Sequence, residues 1–282
     1  MKTRSFRQVD VFTATPYLGN PVAVVHDGSG LSDDQMQAFA RWTNLSETTF
    51  LLAPTDAQAD YRVRIFTPGG ELQFAGHPTL GSCHAWLEAG GQPKSGEFVV
   101  QECGVGLVRI RREPDRLAFG APTLQRSSPG DTLVARVARA LGVRPDQVLA
   151  AQSLDNGTPW LGLLLDAPDT VLQLTPDFAA LKDTAQKVGV VARHGRPAPG
   201  APEFEVRAFA PHLGVNEDPV TGSLNASLAQ WLMADGHAPQ AYLAAQGACL
   251  QRAGRVHLQR DADGQVWVGG QSVTCIHGHT IL

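Results

Sequence analysis

The chain has 282 residues, 43% hydrophobic and 18% charged, a globular balance that excludes a disordered polymer and, by length, predicts two domains. Lys and Arg number 23 against 27 Asp and Glu, a net charge of -4 with no run of one sign, which argues against a nucleic-acid partner. The longest aliphatic stretch, Trp160 to Leu165, is far too short to span a membrane, and four scattered cysteines without CxxC spacing point to a reducing, cytoplasmic setting rather than a disulfide scaffold or zinc ribbon.

In chain order, residues 8–12 and 20–25 read as strands joined by a turn at Gly19-Asn20-Pro21. No apolar signal core precedes them. Ser32-Asp-Asp-Gln35 is a capping box that opens a helix running to about Thr43. Residues 97–103, 106–112 and 115–120 are predicted as successive strands, and 131–141 as an amphipathic helix ending at Gly142. The Gly- and Pro-rich segment 191–203 is predicted as loop, and the tail from Val256 as a hairpin followed by one more strand. The domain boundary is expected near 112–130. Domains are drawn as 1–118 and 119–282, with a return of the tail from about 275 to the first domain left open.

Two segments of the chain resemble each other. Val63-Arg-Ile-Phe66-Thr-Pro68 is followed by His77-Pro78-Thr-Leu-Gly81-Ser82-Cys-His-Ala85. Val206-Arg-Ala-Phe209-Ala-Pro211 is followed by Asp218-Pro219-Val-Thr-Gly222-Ser223-Leu-Asn-Ala226. The pairing sets Pro78 on Pro219, Gly81 on Gly222 and Ser82 on Ser223, with one short difference in the loop. Each copy predicts a strand, a proline stop and then a helix with proline in its first turn, Gly90 and Gly236 following as C-terminal glycines. A strand that feeds a helix N-terminus presents unpaired N–H groups and the positive dipole end, a ready place for a small anion. The two ends are expected to face one cleft.

The residue types suggest the chemistry. Glu47, in Asn44-Leu-Ser-Glu-Thr-Thr-Phe, sits where an apolar strand begins; burial there would raise its pKa and suit a proton carrier, while a solvated loop acid is the alternative. His77 suits a general acid, a donor or a cap, and Asp218 either caps its helix or orients substrate. Gly76, Gly222 and Ser223 suit an anion-binding turn. Gly104-Val-Gly106 lacks the rest of a dinucleotide fingerprint, and His277-Gly-His279 lacks a third ligand, so neither a cofactor nor a metal is expected.

Taken together, Asp10-Val-Phe-Thr13, Gly19-Asn-Pro-Val-Ala-Val24, Asn44-Leu-Ser-Glu-Thr48, Phe74-Ala-Gly-His-Pro78 and Glu217-Asp-Pro-Val-Thr-Gly-Ser223 resemble the PhzF-like phenazine biosynthesis proteins, across the whole chain to Val268-Gly-Gly270. The resemblance implies an α/β (α+β) architecture of the diaminopimelate-epimerase type: two pseudo-symmetric domains, each a mostly antiparallel sheet wrapped around a central helix. It implies an active site between them and a cofactor-free isomerase acting on a small carboxylate such as trans-2,3-dihydro-3-hydroxyanthranilate. By motif, Glu47 is then the proton shuttle, with His77 and Asp218 catalytic and Gly76, Gly222 and Ser223 on the substrate. The related epimerases use a cysteine just before the glycine of each helix start; Ala75 and Thr221 stand there, so a two-thiol epimerase is excluded. A non-catalytic carboxylate binder and a one-base amino-acid racemase stay open, as does a homodimer; no membrane partner is expected.

Overall fold

The computed structural model describes residues 1–195 and 197–282, and these divide into two compact units, 1–120 with 269–282, and 121–268. The first unit contains β1 (Thr3–Val11), β2 (Asn20–Val25), α1 (Asp33–Thr43), β3 (Glu47–Leu52), β4 (Tyr61–Thr67), β5 (Gly70–Leu72), α2 (Gly76–Glu88), β6 (Phe98–Cys103), β7 (Gly106–Arg112) and β8 (Leu117–Gly120). The second contains β9 (Gln125–Ser127), α3 (Asp131–Leu141), β10 (Val148–Asp155), β11 (Pro159–Leu165), α4 (Pro168–Leu172), α5 (Phe178–Lys182), β12 (Val188–Arg193), β13 (Phe204–Ala210), β14 (Val215–Asp218), α6 (Gly222–Ala234), β15 (Ala241–Gln246) and β16 (Gly254–Arg260). The chain leaves that unit along β17 (Val266–Gly270), and β18 (Ser272–Ile281) then pairs antiparallel with β1 in the first unit.

Strand pairing follows one scheme in both units. In the first, β1 and β2 are antiparallel, β2 and β3 parallel, β3 and β4 antiparallel; β4 then takes β5 antiparallel and β6 parallel, and β6 takes β7 antiparallel. In the second, β10 and β11 are antiparallel, β11 and β12 parallel, β12 and β13 antiparallel; β13 takes β14 antiparallel and β15 parallel, and β15 takes β16 antiparallel. Antiparallel pairs outnumber parallel ones, as expected for strands joined by short turns.

Each sheet lies between an outer and a central helix. In the first unit α1 lays Met36, Phe39 and Ala40 on Val25, Phe50 and Phe66. Its Ser32–Gln35 capping box forms as predicted, and the chain leaves it through Asn44 in the left-handed region. The central helix α2 packs on β1, β2 and β3 and approaches closely at Gly81, where a Cβ would lie 2.4 Å from Val22 Cγ1. In the second unit Val137 and Leu141 of α3 meet Leu161, Leu163, Val188 and Val190. The central helix α6 lies on the other face, and here the sheet provides the space: a Cβ on Gly189 would lie 2.3 Å from Leu224 Cδ1. Among the described residues, no helix is long and apolar enough to cross a membrane.

Three sequence expectations change. Both central helices run thirteen residues from a glycine, Gly76 and Gly222, and each meets a left-handed glycine two residues past its end, Gly90 and Gly236. The helices therefore match Gly76 with Gly222 and His77 with Ser223, not Gly81 with Gly222. Pro78 lies inside its helix, whereas Pro219 lies before α6, so the shared Pro, Gly and Ser were out of register. For the same reason Asp218 does not cap α6; it ends β14, and Thr221 holds the cap position. Finally β12 continues to Arg193, so the loop predicted over 191–203 begins only at His194, and Arg196 lies outside the described residues.

Candidate active site

In the first unit the site grows from two neighbouring elements. Glu47 is the first residue of β3, opposite Val22 of β2, so its side chain leaves the sheet where the strand emerges from its turn. His77 is the second residue of α2, whose cap residue Ala75 offers no side-chain acceptor. Packing of α2 on β2 and β3 brings the two together: His77 Nε2 stands 3.3 Å from Glu47 Oε2, with the side chains 6% and 15% exposed. Gly76 precedes His77 at the start of the same helix, and Ser46, just before Glu47, donates to Asn20 at 3.3 Å.

The protonation of this pair follows from its surroundings. Burial pushes the His77 imidazole down to about 3, despite an opposing hydrogen bond to the Pro21 carbonyl, so the ring is neutral near pH 7. Proline has no N–H, so the ring is the donor there. Among the described residues Nε2 makes no such bond, which leaves Nδ1 as the donating nitrogen. Nε2 then presents a lone pair to a carboxyl oxygen. Two lone pairs repel, whereas a proton on either atom converts the contact into attraction. The contact is therefore favourable when one of the two atoms carries a proton, and the neutral imidazole leaves Nε2 free of one.

A pH dependence of stability follows. Between pH 6.5 and about 3 the unfolded chain binds a proton on His77 that the folded chain refuses, so stability is lost as pH falls through that window. A urea titration is expected to show wild type losing ground to a His77→Gln variant from pH 7 to pH 4, by on the order of 3 kcal/mol. A constant gap between the two proteins would show that the ring titrates normally.

In the second unit Asp218, Gly222 and Ser223 gather at the start of α6. Asp218 accepts a short hydrogen bond from Thr221 Oγ1, and Ser223 Oγ accepts from Trp160 Nε1 at 3.2 Å. Four residues absent from the sequence expectations hold this turn. Gln246, 1% exposed, donates to the Asp218 carbonyl at 3.1 Å and to Thr221 Oγ1 at 3.0 Å, while its own carbonyl accepts from the Thr221 N–H and from Asn225. Asn156 donates to the Ser223 carbonyl at 3.0 Å, and Trp160 holds the hydroxyl. Gln246 Oε1 takes the Thr221 N–H, Asn225 donates to the Thr221 carbonyl at 2.9 Å, and the Asp218 carboxylate accepts from the Thr221 hydroxyl. A Gln at the end of a strand carries no local signal of this role.

The Phenazine biosynthesis-like family model, PhzC-PhzF, matches residues 9–278. The chain belongs to this family. Among its relatives, the protein named antisense-enhancing sequence 1 of Schizosaccharomyces pombe is 36% identical over all of both chains. The trans-2,3-dihydro-3-hydroxyanthranilate isomerase of Pseudomonas fluorescens is 34% identical, over 81% of this chain and 79% of that one. In structure, the PhzF-family protein of Bacillus anthracis superposes with a TM-score of 0.85 over all of both chains at 22% identity, a likeness of fold. Its family and its relatives' names make this chain an isomerase. The architecture is the expected one: two units of like topology, each a mostly antiparallel sheet around a central helix.

Proposed function

We propose that this isomerase works without a cofactor, moving a proton within a small carboxylate-bearing substrate such as trans-2,3-dihydro-3-hydroxyanthranilate, with Glu47 as both acid and base. The observation that carries the proposal is the contact of a half-buried Glu47 with a buried His77, 3.3 Å apart with the imidazole kept neutral. A hydrogen that leaves one carbon and returns to another needs a group that takes it and gives it back, and a half-enclosed carboxyl beside a neutral imidazole does both. His77 is assigned to hold and orient the Glu47 proton. Asp218 is assigned to act on the substrate, with Gly76, Gly222 and Ser223 binding it through helix-start N–H groups and a hydroxyl. The substrate follows from the 34% identical isomerase of Pseudomonas fluorescens.

We also infer that the chain arose by internal duplication. The two units share one order of strand pairings, and β4 and β13 carry the matching Val-Arg-x-Phe sequences. A cytoplasmic location is supported by four cysteines that are all free thiols.

Incubation with trans-2,3-dihydro-3-hydroxyanthranilate in D₂O, followed by NMR, tests the function. The expected result is isomerised product carrying deuterium at the receiving carbon to the extent that the Glu47 proton exchanges with solvent. Binding without turnover would make the chain a carboxylate binder. Deuterium entering an unisomerised amino acid at its α-carbon would make it a racemase.

A further inference from the structure

The second unit carries a cavity of about 390 Å³ that the proposed reaction does not use. Its lining includes Glu205, Ala245 and Arg255, which share one row of the sheet: Glu205 of β13 is in register with Ala245 of β15, and Ala245 with Arg255 of β16. Same-row side chains point to the same face, so the carboxylate and the guanidinium rise on either side of an alanine methyl, their Cα atoms roughly 9.5–10 Å apart. Strand alternation sets Glu205 with Arg207 and Phe209, on the face of Val188 and Val190. The helix α6, which starts at Gly222, lies on the opposite face against Gly189. His194 and Arg252 complete the polar wall, and Gln246 is the residue shared with the α6 turn.

Glu205 is an unusual residue to find there. It is only 6% exposed, and its Oε1 is buried with no hydrogen-bond partner among the described residues, while Oε2 stands 3.6 Å from His194 Nε2. Burial pushes its carboxyl up to about 7 against the opposing pull of Arg255 and Arg207. An acceptor in this condition is costly to the fold, and a donor that enters the cavity satisfies it. Arg255 is solvent-exposed at the other end of the row, and its guanidinium suits a carboxylate. One molecule that carries a donor at one end and an anion at the other answers both.

We propose that this cavity is a second ligand site for a small zwitterion of the α-amino-acid type, its ammonium on Glu205 and its carboxylate on Arg255. The site lies in the second unit, and the Glu47–His77 pair belongs to the first.

Thermal unfolding of the full chain with each of the twenty L-amino acids as probes tests the proposal. At least one is expected to raise Tm by about 5 °C or more at concentrations near 100 times its Kd. The matching α-keto acid, which lacks the ammonium, and the matching amide, which lacks the carboxylate, are expected to give much smaller shifts. Glu205→Gln keeps the shape, and Arg255→Met alters only an exposed side chain; both are expected to abolish the shift while leaving the far-UV spectrum unchanged. Glu47→Gln and Ser223→Ala are expected to retain it. No shift with any amino acid would overturn the proposal, as would an equal shift with the α-keto acid. Persistence of the shift in Glu205→Gln would do the same, and loss of it in Ser223→Ala would move the ligand to the α6 turn.

Discussion

Glu47→Gln is expected to lower kcat by about 10²–10⁴-fold, the range for loss of a general acid–base, with KM changed little. The amide keeps the size of the side chain and keeps a polar partner for His77 Nε2, 3.3 Å away in the wild type. It cannot take up or release the travelling proton. Replacing His77 works differently: His77→Gln leaves the carboxyl in place but removes the neutral ring proposed to hold its proton. That variant is expected to retain more activity than Glu47→Gln and to shift the pH profile of kcat. Steady-state rates of both, across pH, separate the two roles. Near wild-type turnover by Glu47→Gln would end the shuttle assignment and make His77 the first candidate.

The largest stability effect is expected at Arg207. This residue is 4% exposed, and its Nε and one terminal nitrogen bind the two Glu217 oxygens at 2.9 and 2.8 Å. Its other terminal nitrogen donates to the carbonyls of Val171 and Leu174 at 3.0 and 3.1 Å, tying α4 to β13. Arg207→Met leaves the Glu217 carboxylate, with its side chain only 7% exposed, without its guanidinium partner, and is expected to cost about 3–5 kcal/mol. Adding Glu217→Leu removes the stranded charge, so the double variant is expected to recover a large part of the loss despite the two carbonyls. Urea unfolding of the four proteins in the cycle measures the coupling. A loss below about 1 kcal/mol in Arg207→Met would class the pair with ordinary surface ion pairs.

Asp218 stands next to Glu217, so this pair also bears on the candidate site. β14 ends at Asp218, and Arg207 fixes the preceding residue to the neighbouring strand. The Arg207→Met variant is accordingly best measured for stability first and for turnover only under conditions where it is folded.

What the sequence determined by itself was local or motif-borne. The Ser32–Gln35 capping box, the left-handed Gly142 after α3, the strand-then-helix order of both similar segments and the family motifs are each carried by residues within a few positions of one another. Such features follow from backbone geometry and short-range hydrogen bonds, which a linear reading contains. The residues of the Glu47 site were named by motif, but their relation was not. That Nε2 of His77 meets Glu47, and that Nδ1 is held by the Pro21 carbonyl, depends on α2 packing against β2 and β3, contacts between residues 30 and 56 positions apart. The helix register shows the same limit. A Pro-x-x-Gly-Ser match placed Gly222 opposite Gly81, but proline is equally at home inside a first turn or in the loop before it, and only the strands flanking α6 decide which. Capping was one of two roles open to Asp218 for that reason, and Gln246, 28 residues later in the chain, binds the turn instead. The tail joins the first unit because β18 completes its hydrogen bonds on β1, a pairing between the two ends of the chain that no local propensity encodes.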